Sequence, residues 1–249
     1  MKFSVITCCW NSEPYIAQCT ASVQAQQGVD LEHVFVDGGS TDGTLQRIQA
    51  LPGAGTGAVR WVTDVRGGIA HAMNVGVKLA SGDVIAHLHG DDYYLHPEVL
   101  SMVKKRIERD GSDWLFGRIV SDIDGCQVPE SFPVPRVDPQ RLLRRNLIPH
   151  PATFIRRSVF EKHGLFREDY RLAMDYEFWL RIRQHCRFTQ VDEPLAAFRV
   201  HAGSATHKNR RASFDEDFRA RFQHGPWWMW PEFAARYAVR RWRGEGGHG

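Results

Sequence analysis

The chain has 249 residues, 43% of them hydrophobic and 24% charged, which is the balance of an ordinary folded globular protein. A formal charge of +3 argues against a protein that binds nucleic acid over its whole surface. The odd count of five cysteines, without CxxC spacing, argues against a disulfide framework and a structural zinc site and favours a reducing cytoplasm. The sequence has no signal-peptide pattern and no apolar run of about 18 residues, so we expect no membrane-spanning segment.

The first half of the chain alternates between predicted strands and predicted helices. Short β-branched and aromatic runs predict strands at residues 3–7, 33–36, 59–62 and 84–88. Start signals and helical spacing predict helices after Ser12, over residues 44–51 and over residues 69–79. Such alternation implies right-handed crossovers and an α/β fold with a mainly parallel sheet, whose ligand crevice lies beyond the carboxyl ends of the strands.

The second half of the chain is less regular. Its pattern predicts helices at residues 98–109, 157–163 and 176–186, and strands at residues 114–120, 152–155 and 195–200. The proline-rich segment 128–150 has no clean period and is either an irregular crossing that shapes a substrate pocket or a plain surface loop. After Gly203 the composition becomes basic and aromatic, so we predict one domain over residues 1–205 and a helical C-terminal extension over residues 206–249.

Two adjacent carboxylates, Asp91 and Asp92, follow the strand predicted at residues 84–88. Their repulsion is relieved when a cation lies between them and a phosphate ligand, and hard oxygen ligands suit Mg²⁺ or Mn²⁺. The alternative is a turn whose aspartate caps the next helix, and the dipeptide alone favours that alternative.

A second acidic turn, residues 37–43, follows the strand predicted at residues 33–36. Asp37 can accept hydrogen bonds from a base or a ribose, and the glycines let a ligand approach the backbone, although such a turn taken singly is more often structural. Together with Thr7, Arg66 and Asp91, this turn makes a set of polar residues that converges on one face.

Four successive stretches carry a family resemblance: FSVITCCWNSEPYI, VFVDGGSTDGT, RGGIAHAMNVGVKLASGDVIAHLHGDD and AMDYEFWLRI. Their order and spacing resemble the signatures of family 2 glycosyltransferases over residues 3–205, and IPHPATFIRRSVFEKHGLF resembles the bacterial polysaccharide branch of that family. The resemblance implies the GT-A fold, a single nucleotide-sugar-binding domain in which helices flank a mainly parallel sheet.

The resemblance also implies roles for the matching residues. Thr7, Asp37 and Arg66 are expected around the nucleotide, with Asp37 on the uracil or ribose side. Asp91 is expected to face the ribose or the donor sugar, and Asp92 to hold a Mn²⁺ or Mg²⁺ ion on the diphosphate.

The sequence departs from the family pattern at three positions. Gly90 and His89 replace residues of the DxD-type motif that are more often polar or acidic, so the metal assignment depends on Asp92, helped by Asp91 or water. His71 stands where many relatives have an acidic residue, whereas Asn74 keeps the family pattern and is expected to contact the substrate.

Asp175 matches the family's general base, the carboxylate that deprotonates the acceptor hydroxyl for an inverting displacement. A carboxylate beside a helix start is equally well explained as a cap, and the local sequence alone favours the cap. His201 follows the last predicted strand, where related enzymes often use a histidine to touch metal or diphosphate. His87, His89 and His150 are weaker candidates, because a lone histidine in a strand is more often a satisfied core residue.

The C-terminal segment 225–243 combines aromatic and basic side chains. They are Trp227, Trp228, Trp230, Phe233, Tyr237, Arg240, Arg241, Trp242 and Arg243. This composition suits an interfacial helix on anionic lipid, and it suits equally a helix that packs its tryptophans on the catalytic domain or on a second subunit.

These features predict a cytoplasmic, metal-dependent, inverting glycosyltransferase with a peripheral contact to the inner face of the cell membrane. It is expected to move a sugar from a nucleotide-diphosphate donor, expected to be a UDP-sugar, to a hydroxyl of a saccharide or polyprenyl-linked saccharide. The alternative is a non-catalytic nucleotide-sugar-binding module of an assembly complex, against which the presence of both Asp92 and Asp175 argues. A dinucleotide-dependent oxidoreductase ranks behind both, because no GxGxxG pattern follows the first strand.

Overall fold

The computed structural model describes residues 1–129, 136–201, 203 and 209–242. The strands of this part of the chain are β1 (Lys2–Cys9), β2 (Asp30–Asp37), β3 (Val59–Val62), β4 (Val84–His87), β5 (Tyr93–Tyr94), β6 (Trp114–Ile123), β7 (Cys126–Pro129), β8 (Thr153–Arg156) and β9 (Phe188–Val200). They form one sheet with the order β3-β2-β1-β4-β8-β6-β9-β5, and β7 pairs with β6.

The helices surround this sheet. They are α1 (Glu13–Gln24), α2 (Thr44–Gln49), α3 (Ile69–Leu79), α4 (Val99–Asp110), α5 (Pro139–Leu142), α6 (Arg157–His163), α7 (Met174–Ile182), α8 (Arg210–His224) and α9 (Trp230–Trp242), with short 3₁₀ turns at His150–Ala152 and Trp227–Met229. The predicted α/β fold with a mainly parallel sheet and a helical C-terminal extension is confirmed.

Strands β3, β2, β1 and β4 are parallel neighbours, so their carboxyl ends meet at one edge of the sheet. Phe3, Val5 and Ile6 of β1 are fully buried, because helices cover both faces of this part of the sheet. Helix α3 lies close to β1 at Gly76, where an added Cβ would be 2.3 Å from Ile6 Cγ2. Glycine is therefore needed at position 76 for this close packing.

The second half of the sheet is mixed. β8 is antiparallel to both β4 and β6, and β9 runs parallel to β6. β5, which follows Asp92 directly, pairs with β9 and sets Tyr93 opposite Ala197. The loop that carries Asp91 and Asp92 is therefore adjacent to the end of β9, which leads to His201.

Several boundaries differ from the prediction. The segment predicted to be irregular contains the end of β7 and the short helix α5, and residues 130–135 lie outside the described part of the chain. β9 begins at Phe188 rather than at residue 195, because pairing with β6 extends it through a polar stretch that has no alternation. α7 begins at Met174, so Asp175 lies in its first turn and not before it.

The C-terminal helices pack against α7 and its apolar surroundings. Phe214 and Phe218 of α8 belong to the same apolar cluster as Trp179 of α7. The boundary predicted between residues 205 and 206 lies outside the described residues, so the division into two domains stays a prediction. Among the helices that the structure describes, none combines the length and the apolar character needed to cross a bilayer.

Candidate active site

The loop after β1 and the loop after β2 are joined by hydrogen bonds. Asn11 Oδ1 accepts a bond of 2.9 Å from the Thr41 N–H, and the Asn11 N–H donates to Ser40 Oγ, also at 2.9 Å. The Ser12 N–H donates to Thr44 Oγ1 at 2.8 Å. Asn11 takes the left-handed conformation, with φ of 49°, which asparagine tolerates better than most residues. The loop after β1 and the acidic turn after β2 therefore form one continuous rim.

Asp37 holds the loop after β2 together from within. Its carboxylate accepts hydrogen bonds from the N–H groups of Gly39 and Ser40, from the Ser40 hydroxyl and from Thr63 Oγ1 at 2.9 Å. The side chain is fully buried. Asp37 thus joins the ends of β2 and β3 and gives the rim its shape.

Arg66 and Trp10 present exposed side chains on this rim. Arg66 Nε donates to Asp64 Oδ1 at 2.7 Å, and its guanidinium lies over Gly39, where an added Cβ would be 3.3 Å from Nη2. Trp10 is 67% exposed and lies against Gly38. Trp10 was not among the residues predicted for the site, although an aromatic residue directly after a buried strand is a usable signal. An exposed ring and a cation on one rim suit a base and a diphosphate.

Asp91 and His201 meet at the end of β4. His201 Nε2 lies 2.9 Å from Asp91 Oδ2, and the two side chains are 22% and 27% exposed. The His201 ring also packs on Tyr15 of α1, with 4.8 Å between ring centroids. The pair presents His201 Nε2 and the Asp91 carboxylate to the cleft, while His201 Nδ1 accepts a 3.2 Å hydrogen bond from the Gly203 N–H.

Asp92 has a different environment from Asp91. Its Oδ1 accepts a 3.0 Å hydrogen bond from the Arg199 N–H, and the residue is 2% exposed. Burial and the charge of Asp91 raise the pKa of Asp92 well above its ordinary value. In the structure the Asp92 carboxylate joins the loop after β4 to β9, and its expected role as the metal ligand stays a prediction.

The donor atoms at this edge fit a divalent cation that shares its coordination with a substrate. Mg²⁺ and Mn²⁺ are commonly bound by one or two protein groups together with phosphate oxygens and water, and Asp91 with His201 supplies such a pair. Within the described ranges, no group of three His, Cys, Asp or Glu side chains is arranged to hold an ion. A bound ion would therefore depend on the diphosphate for most of its ligands.

Asp175 reaches the same edge of the sheet from α7. Its Oδ2 lies 3.8 Å from His150 Nδ1, and the ring of His150 stacks on that of His89 with 5.2 Å between centroids. His89 in turn stands two residues before Asp91. Burial raises the pKa of Asp175 to about 7, with a further rise from the charge of Asp217 and an opposing effect of the Tyr176 N–H.

Thr7 and Asn74 lie away from this edge. The Thr7 hydroxyl is fully buried and lies 2.8 Å from His33 Nε2. Asn74 is buried as well, and its side chain exchanges hydrogen bonds with the backbone of Phe166 and donates to Glu168 Oε1. In the structure, both side chains fasten neighbouring elements, and neither is brought together with the other predicted site residues.

Known proteins are similar to this chain in sequence. The sequence model of Glycosyl transferase family 2 matches residues 4–164. An uncharacterized glycosyltransferase of Mycobacterium tuberculosis is 30% identical over 219 residues, which cover 86% of this chain and 80% of the relative. A PGL/p-HBAD biosynthesis glycosyltransferase of Mycobacterium bovis is 33% identical over 181 residues, which cover 72% of this chain and 68% of the relative.

Solved structures share the same fold. S. aureus TarS in complex with UDP is similar with a TM-score of 0.70 and 25% identity, over 89% of this chain. This chain spans 64% of that TarS fragment. A mannosyltransferase from Pyrobaculum calidifontis, solved with GDP-Man and Mn²⁺, has a TM-score of 0.69 over 96% of this chain, and at 19% identity this likeness concerns the fold alone.

Proposed function

This chain belongs to glycosyl transferase family 2, as its motifs predict, and is a nucleotide-sugar-dependent glycosyltransferase of the polysaccharide-synthesis type, and we propose that it inverts the anomeric carbon in a single displacement. One observation carries the proposal: Asp175, from the second half of the chain, lies beside His150 and so next to the loop that carries Asp91. Asp175 can thus act as a general base at the edge of the sheet where the donor diphosphate would lie.

We propose that the donor is a UDP-sugar. The rim formed by Trp10, Arg66 and the glycine-rich loop after β2 supports a nucleotide diphosphate here, because it offers an aromatic face, a cation and close backbone approach. TarS, which is 25% identical to this chain, is known in complex with UDP, and this supports uracil as the base. The loops after β1, β2 and β4 then form the donor side of the site.

A Mn²⁺ or Mg²⁺ ion belongs to this proposal, held by Asp91 and His201 rather than by Asp92. The partial exposure of Asp91 and His201 and the burial of Asp92 support this choice. When bound, the ion neutralises negative charge on the departing nucleoside diphosphate. Asp92 serves the site by fixing the loop against the Arg199 backbone.

Asp175 acts on the acceptor. Its carboxylate takes the proton of the acceptor hydroxyl while the hydroxyl oxygen forms the new bond to the anomeric carbon, and the bond from that carbon to the diphosphate oxygen breaks with its electron pair leaving on UDP. A carboxylate with a pKa near 7 suits this task, because about half of it is ionised at neutral pH and the ionised form is more basic than an ordinary carboxylate. Attack from the face opposite the leaving group inverts the configuration.

The test is a sugar-transfer assay with UDP-sugars and hydroxyl-bearing saccharides, in which the anomeric configuration of the product is read by NMR. We expect inversion, and we expect Asp175→Asn to abolish transfer while UDP binding, followed by thermal shift, is retained. Asp169→Asn is the control, because Asp169 is paired with Arg167 and Arg219 on the surface. A product of retained configuration, or full activity of Asp175→Asn, would contradict the proposal.

The acceptor side of the proposal is a saccharide or a lipid-linked saccharide, approached from a membrane surface. Large aromatic side chains of the C-terminal extension are exposed: Trp227, Trp228, Trp230 and Trp242. Trp230 and Trp242 belong to α9, whose last turn carries basic Arg240 and Arg241, and this combination supports a peripheral contact with anionic lipid. Arg243, also part of the predicted segment, lies outside the described residues. A non-catalytic module is not favoured, because the chain keeps Asp175 beside His150 and the relatives that it matches are glycosyltransferases.

A further inference from the structure

Helix α8 supplies hydrogen-bond acceptors to the backbone just before α7. Glu216 Oε1 accepts from the Arg171 N–H at 2.9 Å, and Glu216 Oε2 accepts from the N–H groups of Leu172 and Ala173 at 2.8 and 2.9 Å. One carboxylate thus binds three consecutive N–H groups that lie immediately before the helix of Asp175.

The local sequence offers no substitute for this carboxylate. The first N–H groups of a helix need acceptors from outside it, and these commonly come from a polar side chain at the N-cap. The N-cap of α7 is Ala173, which has no side-chain acceptor. Glu216, 43 residues away in sequence, accepts from the N–H of this N-cap residue and of the two residues before it. Within the first turn itself, Asp175 Oδ1 accepts a 2.6 Å hydrogen bond from the Tyr176 N–H.

Two further contacts hold the first turn of α7 against α8. His224 Nε2 lies 2.8 Å from Glu177 Oε1, and the Glu177 side chain is almost fully buried. Arg221 Nε donates to the Tyr176 hydroxyl at 3.1 Å. Helix α8 thus holds Tyr176 and Glu177, which follow Asp175, as well as the backbone that precedes it.

We propose that Glu216 is a positioning residue for the catalytic base: by holding the backbone of residues 171–173, it sets where α7 begins and hence where Asp175 lies beside His150. This inference rests on the proposed role of Asp175. It gives the C-terminal extension a part in sugar transfer that is separate from its contact with lipid.

The test compares Glu216→Ala, Glu216→Gln and Asp175→Asn with the full-length wild type. Glu216→Ala removes every acceptor, so we expect kcat to fall by about 10²-fold, the effect of a misplacement of about 1 Å. Glu216→Gln keeps one carbonyl oxygen and is expected to give an intermediate kcat. The KM for the UDP-sugar should stay the same in both variants, because the donor rim is built from the loops after β1, β2 and β4.

Asp215→Asn is the matched control. Asp215 is the neighbour of Glu216 on α8, and its carboxylate accepts from the Tyr237 hydroxyl of α9 and pairs with Arg241 rather than with α7. We expect Asp215→Asn to keep the wild-type kcat. A loss of kcat in this variant equal to that in Glu216→Ala would show a general effect of disturbing α8 and would overturn the inference.

The pH profile of kcat distinguishes a positioning role of Glu216 from a merely stabilising one, because a merely stabilising role would leave the profile unchanged. Asp175 is faced by His150 from the 3₁₀ turn and by Asp217 from α8. Loosening the start of α7 admits water to Asp175, so the acid limb should move to lower pH in Glu216→Ala and stay in place in Asp215→Asn.

The outcomes separate the two proposals. If Asp175→Asn is as active as the wild type, the proposed base is wrong. If Asp175→Asn is inactive while Glu216→Ala and Glu216→Gln keep the wild-type kcat and the wild-type acid limb, the role of Glu216 alone is wrong. If Glu216→Ala does not fold, the kcat and the acid limb of Glu216→Gln decide in the same way.

Discussion

At the scale of single residues, Asp175 shows how surroundings override local sequence. A carboxylate in the first turn of a helix is stabilised in its charged form by the helix dipole, which lowers its pKa. Burial acts in the opposite direction and dominates here, so the pKa of Asp175 is about 7. Asp175, which looks like a helix cap in the sequence, thus has a pKa that suits a general base at neutral pH.

This raised pKa predicts a conflict between stability and activity. The pKa of Asp175 is higher in the folded than in the unfolded chain, so its contribution to stability is present below a pH of about 4 and is lost as the pH rises through about 7. Asp175→Asn removes the buried charge, and we expect its melting temperature at about pH 8 to exceed that of the wild type by a few degrees. Below about pH 4 the two should melt alike, since the Asp175 carboxyl is then neutral in both the folded and the unfolded chain.

Asp169 provides a control of opposite sign. Its ion pairs with Arg167 and Arg219 lower the pKa of Asp169 to about 2, so its stabilising contribution is present at neutral pH and is lost on acidification. Asp169→Asn should therefore not raise the melting temperature at about pH 8. If the two asparagine variants shift the melting temperature at about pH 8 in the same direction, burial of Asp175 is not the cause of the shift in Asp175→Asn.

The neighbours Asp91 and Asp92 are expected to differ in their effect on metal binding. Asp91→Asn removes the exposed carboxylate next to His201, so we expect Mn²⁺ affinity in the presence of UDP to fall by about tenfold or more in titration calorimetry. Asp92→Asn keeps an oxygen that accepts from the Arg199 N–H, so Mn²⁺ binding should be retained. A loss of Mn²⁺ affinity in Asp92→Asn and not in Asp91→Asn would show that Asp92 holds the metal.

At the scale of elements, the site depends on how closely the loops after β1 and β4 approach each other at Gly90. A Cβ added at this position would lie 3.1 Å from Cys9 Cβ and from Ser12 Oγ, closer than side chains normally come. Gly90→Ala should push the loop of Asp91 away from the rim, so we expect the KM for the UDP-sugar to rise about tenfold while the protein stays folded. Gly57→Ala, with open space around it, is the control, and an equal KM in both variants would contradict this reasoning.

The sequence could predict the parallel half of the sheet because β1 to β4 are compact apolar runs, each followed by a polar turn. It could not predict β5, which has two residues, or the first half of β9, whose polar residues are held by pairing with β6 and not by their own pattern. The role of His150 beside Asp175 was equally hidden, since that contact joins distant parts of the chain. Periodicity reports local burial, whereas such contacts exist only after folding.

At the scale of the whole molecule, the two halves of the sheet differ in topology and carry different parts of the site. The parallel strands β1 to β4 carry the rim for the donor, and the mixed half with α7 carries Asp175. The C-terminal helices join the second half through the apolar cluster of Phe214 and Phe218. A surface that bears exposed tryptophans is thereby attached to the part of the molecule that would receive the acceptor.

This arrangement predicts that the protein binds anionic membranes through its C-terminal extension. We expect the full chain to sediment with vesicles that contain phosphatidylglycerol and not with purely zwitterionic ones, because the arginines are attracted to anionic headgroups and the tryptophans enter the interface. The triple variant Trp227→Ala, Trp228→Ala, Trp242→Ala should lose most of this binding.

Trp10→Ala is the matched control for that measurement, because Trp10 is as exposed as Trp228 and belongs to the donor rim instead. It should sediment like the wild type, and raising the ionic strength should weaken the binding of both proteins through screening of the arginines. Unchanged vesicle binding by the triple variant would exclude lipid as the partner of these tryptophans. A change from dimer to monomer in that variant, seen by light scattering, would assign the aromatic surface to a second copy of the chain, since contact between subunits buries such side chains as well as lipid does.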